Sequence, residues 1–157
     1  MILVSIAEQK LSFFDNNGNE NRSYSISTAL NGVGEQEGSY KTPRGRHFIS
    51  EMYGHNVPMG SVFVARRLTG EICTPGLMLE FPERDWVLTR IMRLSGLEDG
   101  INMGGNVDTF KRYIYIHGCP DSCEMGVPLS HGCIRMRNSD VVELFDMVKI
   151  GCFVNIT

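Results

Sequence analysis

The sequence has no apolar run long enough to cross a membrane and no cluster of basic residues. None of its apolar stretches approaches the ~20 residues of a membrane-spanning helix. Fifteen Lys and Arg residues stand against eighteen Asp and Glu residues, giving a net charge of −3. Because nucleic acids and anionic membranes attract clustered positive charge, we expect neither a nucleic-acid partner nor a membrane partner.

The N-terminus lacks the three parts of a secretory signal peptide. Met1 is followed directly by ILVSIAEQKLSFF, without a basic region, a separate apolar core or a small-residue cleavage site. We therefore expect a cytoplasmic protein, or a periplasmic one if a leader has been removed. In a reducing cytoplasm, the five cysteines are free thiols by default.

Length and composition are typical of a folded enzyme-sized domain. The chain has 157 residues, of which 42% are apolar and 21% are charged. These values predict one domain spanning residues 1–157 with its own core, and they exclude a disordered chain.

Most of the chain has the pattern of short β-strands separated by turn residues. The segment from Asp85 to Leu97 fits neither helical nor strand periodicity cleanly, and we favour a strand. One helix is clear, since Val141, Leu144, Phe145 and Val148 form one apolar face; Asn138 or Ser139 caps it and Gly151 stops it. Together, the predicted strands and the single helix indicate a mostly β domain, a sandwich or open barrel with few helices. Further predicted strands are ILVSI, KLSFF, RSYSIST, Ser61–Leu68, KRYIYIHG ending at His117, and CFVNI, with tight turns at DNNGN and at Pro43–Gly45.

The residues best suited to catalysis or metal binding lie in one stretch, IHGCPDSCEMGVPLSHGC, from Ile116 to Cys133. This stretch contains His-Gly-Cys twice. A structural zinc site is one interpretation, in which Cys119, Cys123, His131 and Cys133 supply the ligands of a non-catalytic binding module. The spacing counts against it, because neither pair has the Cys-x2-Cys spacing of common zinc modules. A Cys119–Cys123 disulfide is a second interpretation and needs an oxidising compartment. These cysteines also fit as small buried fillers.

Covalent catalysis is the third interpretation. A thiol attacks as its thiolate, and a nearby imidazole can take its proton, so we expect His117 to lower the pKa of Cys133. His117 ends a predicted strand, and the loop that follows can return Cys133 to it. Gly132 permits a sharp turn whose N–H groups can hold an oxyanion. His131 is a poorer base for Cys133, because residues two apart in a tight turn do not readily meet.

The motif YIYIHG…PLSHGCIRM closely resembles the L,D-transpeptidase catalytic domain, also called the YkuD domain. That family has a His, a gap of about fifteen residues, then Ser/Thr-His-Gly-Cys and an Arg two positions on. The segments ISTALNGVGEQEGSYKTPRGRHFI and SIAEQKLSFFDNNG resemble its turn motif and opening hairpin, so the resemblance spans nearly the whole chain. The matching positions are His117, Ser130, His131, Gly132, Cys133 and Arg135.

The resemblance implies a cysteine acyltransferase acting on peptidoglycan stem peptides. We expect it to need neither a cofactor nor a metal. Cys133 would be the nucleophile and His117 the base, with His131, Gly132 and Cys133 forming the oxyanion turn. Arg135 would contact a substrate carboxylate or hold the loop by a salt bridge, and Ser130 would hold the turn.

The family cleaves the bond between meso-diaminopimelate and the terminal D-alanine of a tetrapeptide stem or muropeptide. In the cytoplasm the abundant acceptor is water, which predicts an L,D-carboxypeptidase, a hydrolase of wall recycling. The alternative is a transferase that forms 3–3 cross-links or attaches lipoprotein.

Overall fold

The alternating and β-branched segments form ten strands in the computed structural model, which describes residues 1–157. Two short helices and one 3-10 turn, Gly105–Val107, accompany the strands. The strands are β1 Ile2–Ser5, β2 Lys10–Phe14, β3 Glu20–Ser25, β4 Gly45–Tyr53, β5 Ser61–Val64, β6 Arg67–Ile72, β7 Val87–Gly96, β8 Tyr115–Gly118, β9 Ile134–Met136 and β10 Phe153–Ile156; the helices are α1 Pro75–Glu80 and α2 Asn138–Met147.

All ten strands belong to one open sheet. Eight of them follow the order β3-β2-β1-β10-β4-β7-β5-β6, and β8 joins β7 while β9 pairs with β8. Most pairings are antiparallel, but β1 pairs with β10 and β8 with β9 in parallel. The prediction of a mostly β domain with few helices is confirmed, and the sheet does not close into a barrel.

The core lies between the sheet and α2. Strand alternation sends one set of side chains from β8 and β9 into it, and the apolar face of α2 covers them. Neither helix combines the length and apolar character that crossing a bilayer requires. The main cluster includes Ile2, Val4, Leu11, Ile49, Leu94, Ile116, Ile134, Met136, Val141, Leu144, Phe145 and Val154.

Two strand predictions differ from the structure. The segment Ser61–Leu68 is not one strand, because Ala65 and Arg66 adopt left-handed backbone angles, φ 47° and 64°, and turn the chain into the β5–β6 hairpin. The strand predicted to begin at Lys111 begins only at Tyr115, after a turn. Helix α1 was not predicted; Thr74 caps it by accepting the N–H of Leu77.

The segment after Asp85 forms β7, as predicted, and β7 pairs with β4, β5 and β8. Helix α2 also forms, with Val141, Leu144 and Phe145 buried, but it ends at Met147, before Gly151. Its N-cap is Arg137 rather than Asn138 or Ser139, and no side chain caps it.

Candidate active site

The parallel pairing of β8 with β9 brings the two halves of the cysteine–histidine stretch together. His117 lies opposite Arg135 in the register, and Ile116 lies opposite Ile134. Because side chains alternate along a strand, the isoleucines enter the core while His117 and Arg135 share the other face. Cys133 immediately precedes β9, and its sulfur accepts the N–H of Tyr115 at 3.3 Å.

His117 is held as a neutral base. Its Nδ1 lies 2.7 Å from the carbonyl oxygen of Gly118. A carbonyl only accepts hydrogen bonds, so Nδ1 carries the hydrogen and Nε2 keeps its lone pair. Burial lowers the pKa of His117, because a charged imidazole would lose its hydration there.

Cys133 is half-buried, and its thiol is protonated. Burial raises the pKa of Cys133 to about 12, with the N–H of Tyr115 acting in the opposite direction. The thiol lies 3.4 Å from the carbonyl oxygen of Tyr113, to which it donates. The expectation that His117 lowers this pKa is therefore wrong for the free protein: thiol and imidazole are both neutral, and the proton must move as the sulfur attacks.

The Ser-His-Gly-Cys turn is held by two hydroxyl groups. Ser130 Oγ donates to the carbonyl of Cys133 and accepts the N–H of Gly132 at 3.2 Å. Thr42 Oγ1 donates to the carbonyl of Gly132 at 2.9 Å. Gly132 has φ +135°, a backbone angle that L residues rarely adopt.

Within this turn, the predicted oxyanion donors differ in availability. The N–H groups of His131 and Cys133 donate to no protein acceptor, whereas that of Gly132 is engaged with Ser130. An oxyanion role for Gly132 would require that bond to open.

Arg135 is engaged with an acidic residue that sequence analysis did not identify as part of the site. Its Nη2 lies 2.8 Å from Asp85 Oδ1, and its Nη1 donates to the carbonyl of Leu129 at 3.2 Å. Asp85 Oδ2 also lies 3.8 Å from Nδ1 of His131. Burial favours a raised pKa for Asp85, but the positive charge of Arg135 and its hydrogen bond act in the opposite direction, and the pKa lies below its usual range. The salt bridge expected of Arg135 is present, and its contact with a substrate carboxylate stays a prediction.

One cavity of about 180 Å³ contains both His117 and Cys133. Larger cavities of about 330 and 550 Å³ lie elsewhere and contain no histidine. Three further wall residues, Tyr40, Arg112 and Tyr113, had no distinguishing signal in the sequence. Arg112 ties the loop beside the cavity by donating to the carbonyls of Glu35 and Lys41 at 2.8 and 2.7 Å. The remaining lining residues are Asp85, Ile114, Ser130, His131 and Arg135.

The four residues considered as zinc ligands do not converge. Nowhere in the chain do three or more His, Cys, Asp or Glu side chains come close enough together to hold a metal ion. Cys133 instead contacts backbone groups of Tyr113 and Tyr115, and His131 faces Asp85. The structure therefore offers no cluster of three ligands for the zinc-module alternative.

Comparison with models of known protein families shows which family this chain belongs to. The family model of the YkuD L,D-transpeptidase catalytic domain matches residues 1–156. The chain belongs to this family. The YkuD domain is thus matched from the first strand to the last, and the expected family is confirmed.

Individual relatives of this YkuD domain match shorter stretches. Probable L,D-transpeptidase ErfK/SrfK of Salmonella typhimurium is 44% identical over 45 residues, covering 29% of this chain and 15% of that protein. Probable L,D-transpeptidase YbiS of Escherichia coli K12 is 42% identical over 40 residues, covering 26% and 13%. The matched stretch is thus a small part of each relative.

Solved structures match the whole fold. An L,D-transpeptidase from Mycobacterium smegmatis has a TM-score of 0.60 at 19% identity, covering 99% of this chain and 57% of that one. L,D-transpeptidase 3 from Mycobacterium tuberculosis, in complex with a faropenem-derived adduct, has a TM-score of 0.56 at 16% identity, covering 99% and 59%. This chain spans little more than half the length of either, and at these identities the likeness establishes the fold alone.

Proposed function

We propose that this YkuD domain is a cysteine acyltransferase that cleaves the meso-diaminopimelate–D-alanine bond of peptidoglycan tetrapeptide stems, with water as the main acceptor. One observation carries the proposal. The Gly118 carbonyl accepts the Nδ1 hydrogen of His117, which leaves Nε2 free to take a proton. This neutral imidazole and the Cys133 thiol line the same small cavity.

In the first half-reaction, Cys133 Sγ attacks the diaminopimelate carbonyl carbon while Nε2 of His117 takes the thiol proton. The N–H groups of His131 and Cys133 donate to the resulting oxyanion. When the tetrahedral intermediate collapses, the carbon–nitrogen bond breaks and His117 gives its proton to the amine of D-alanine. A thioester joins the tripeptide to Cys133.

In the second half-reaction, water attacks the thioester and His117 takes a proton from it. The carbon–sulfur bond then breaks, the thiol recovers its proton, and the tripeptide leaves with a new carboxylate. Water needs no binding site of its own, and it is present at about 55 M, so an amine competes only where protein groups position it.

An amine acceptor is the second candidate, and a specific feature favours it. A cavity of about 260 Å³ adjoins the first, sharing Asp85, His131 and Arg135 with it, and Glu83 lines it as well. The carboxylate of Glu83 suits an ammonium group, whereas Asp85 is already paired with Arg135. An acceptor held there would give a 3–3 cross-link once it has lost a proton and attacks the thioester as the free amine.

Product analysis of a disaccharide tetrapeptide separates the two outcomes. The protein is incubated with the tetrapeptide alone and then with a second stem peptide at matched concentration, and the products are resolved by mass spectrometry. We expect tripeptide and D-alanine under both conditions. Predominant 3–3 dimer in the second would replace the carboxypeptidase proposal with the transpeptidase one, and no cleavage in either would contradict both.

The cytoplasmic role in wall recycling stays a prediction. Fractionation of cells that express the native protein tests it directly. Recovery with the periplasmic fraction would favour the cross-linking alternative, because neighbouring stems are the acceptors available there.

A further inference from the structure

Two arginines line the cavity that contains the Cys133 thiol, and only one of them has an acidic partner. Arg135 lies 2.8 Å from Asp85 Oδ1, so a carboxylate compensates its charge. Arg112 instead donates only to neutral oxygen atoms. These are the carbonyls of Gly34, Glu35 and Lys41 and the hydroxyl of Ser39. Arg112 therefore brings a positive charge that no protein carboxylate neutralises by direct contact.

The guanidinium of Arg112 stays charged although the residue is half-buried. Burial lowers the pKa of Arg112, because the cation loses hydration. An arginine nevertheless starts so far above neutral pH that it remains protonated in proteins. The Glu35 carboxylate could compensate this charge, but its Oε1 pairs with Arg44 Nε at 3.0 Å. A cavity with one uncompensated positive charge suits an anionic group of a ligand.

Arg112 lies close to the thiol and to the turn that precedes it. The carbonyl of the next residue, Tyr113, accepts the thiol hydrogen of Cys133 at 3.4 Å. The Lys41 carbonyl oxygen that accepts Arg112 Nη2 at 2.7 Å is 3.4 Å from the position that a Cβ on Gly132 would occupy. A single hydrogen-bonded group, the Lys41 carbonyl, thus separates the Arg112 guanidinium from the turn.

The third nitrogen of the Arg112 guanidinium is available to a ligand. Nη1 and Nη2 are engaged with residues 34–41, which fixes the orientation of the planar group, whereas the Nε–H donates to no protein acceptor. This nitrogen is also open to solvent, because the fully buried side-chain nitrogens without a partner are Nε of Arg90 and Nε of Arg93. Arg112 therefore offers one charged donor that is already oriented.

A tetrapeptide stem carries a carboxylate at the right place for this donor. Only the α-carbon of D-alanine separates the terminal carboxylate from the scissile nitrogen, whereas the whole aliphatic side chain of diaminopimelate separates its second carboxylate from the scissile carbonyl. In a cavity of about 180 Å³, a charge beside the thiol is nearer to the terminal carboxylate. An amide at that end of the stem would leave the charge of Arg112 unmatched.

We infer that Arg112 is a specificity-determining residue, which binds the terminal carboxylate of the D-alanine that leaves. The inference rests on the proposed function for the identity of the peptide. It adds a requirement that the catalytic pair does not impose, since His117 and Cys133 act on the scissile bond alone. The protein should therefore prefer stems that end in a free carboxylate.

The experiment measures binding to Cys133→Ala, which cannot cleave its ligand. Isothermal titration calorimetry compares a tetrapeptide stem with the same peptide ending in D-alaninamide. We expect the amide to bind about 10- to 100-fold more weakly, the usual range for a hydrogen bond to a charged group. Arg112→Gln, added to Cys133→Ala, keeps amide donors for the loop carbonyls but removes the charge, and should bind both peptides equally.

Two further variants separate the charge of Arg112 from its support of the loop. Arg112→Lys keeps a charge and loses the planar group, so it should still prefer the acid even if both peptides bind more weakly. Arg67→Met is the matched control, because Arg67 is an exposed arginine at the start of β6 and does not line the cavity. It should keep the full preference. The ratio of the two affinities is the readout, since a loosened loop would weaken both peptides together.

Equal binding of the acid and the amide to Cys133→Ala would overturn the inference. An unchanged preference in Arg112→Gln would do so as well, and so would a preference that responds only to amidation of the second diaminopimelate carboxylate. If Arg112→Gln fails to fold, the ¹⁵N NMR signal of Arg112 Nε in Cys133→Ala decides the question: it should shift with the acid and not with the amide. Cleavage by the unsubstituted chain tests the proposed function separately. The expected preference without release of D-alanine would contradict that function and leave the assignment of Arg112 in place.

Discussion

The two His-Gly-Cys tripeptides of this chain are identical in sequence and different in structure. In the first, His117 is buried on β8 with its Nδ1 fixed, while Cys119 is buried against the carbonyl of Met136. In the second, Cys133 lines the cavity, while the His131 side chain is 65% exposed and lies 3.8 Å from Asp85.

The difference arises from the backbone around each tripeptide. In the first, His117 and Gly118 end the extended strand β8, so the His117 side chain points to one face of the sheet, and Gly118 lies close to Leu88 and Asn138. The second is a turn around Gly132, which presents the following thiol beside the strand. A tripeptide motif therefore identifies neither nucleophile nor base until its backbone conformation is known. Four comparisons test this contrast, from the largest expected effect to the smallest.

Replacing the two cysteines should give the largest contrast. Cys133→Ala is expected to abolish tetrapeptide cleavage, because no other thiol shares the His117 cavity. Cys119→Ser should retain most activity, since the Cys119 thiol donates to the carbonyl of Met136 and does not line the cavity that holds His117. Steady-state cleavage of a tetrapeptide measures both, with circular dichroism as the folding control. An inactive, folded Cys119→Ser beside an active Cys133→Ala would reverse the assignment.

The two histidines should differ next. His117→Gln is expected to lower kcat/KM by about 10² to 10⁴, the usual contribution of a general base. His131→Gln should lower it by less than about tenfold, because an exposed charge contact contributes little. Cleavage kinetics of both variants measure the difference. Equal losses would show that the exposed imidazole also takes part in proton transfer.

The glycine of the first tripeptide should be far less tolerant of substitution than an exposed one. A Cβ at Gly118 would lie 2.7 Å from both Asn138 Oδ1 and the carbonyl oxygen of Leu88. Gly118→Ala should therefore lower the free energy of unfolding by about 1–3 kcal/mol. Gly76→Ala is the matched control, because its nearest neighbour would be Thr74 Oγ1 at 3.9 Å. Urea unfolding measures both, and equal stabilities would contradict the packing of β8.

The pH dependence of active-site labelling tests the neutral thiol–imidazole pair. Burial lowers the pKa of His117, so the imidazole is already neutral at a pH where a free one is half protonated. The rate of Cys133 acylation by a carbapenem should therefore fall only below the usual imidazole pKa of about 6.5, by about tenfold per pH unit. It should then stay constant up to and beyond the usual thiol value of about 8.5, since the pKa of Cys133 is raised to about 12. Intact mass against time at each pH gives the rates; a rate that rises between these values and levels off near 8.5 would indicate reaction through a thiolate of ordinary pKa, and an adduct on another cysteine would contradict the assignment.

Local sequence patterns predicted the helices and strands whose side-chain periodicity shows within a few residues. The spacing of Val141, Leu144 and Phe145 gave α2, and alternation gave most strands. The β5–β6 turn escaped prediction because Ala65 and Arg66 adopt positive φ without being the Gly or Asn that usually marks such turns.

Some residues of the candidate site could likewise be predicted from the sequence, and others could not. His117, Ser130, His131, Gly132, Cys133 and Arg135 lie within one motif, and the fold places all of them except Gly132 along one cavity. Asp85 could not be found from sequence, because the Asp85–Arg135 contact joins residues fifty positions apart. The raised pKa of Cys133 could not be predicted either. It depends on burial by the whole fold, whereas the sequence shows only that a histidine is available nearby.

The position of β10 affects how this protein acquires its sheet. The last strand of the chain lies between β1 and β4, with Val154 opposite both Ile2 and His47. During synthesis, those two strands have no common neighbour until β10 emerges, so the sheet depends on contacts between segments far apart in the sequence. Such long-range pairing slows folding and leaves strand edges exposed meanwhile. A nascent chain that stalls before Phe153 would therefore present two unpaired edges at once, which makes it a substrate for aggregation or for chaperones.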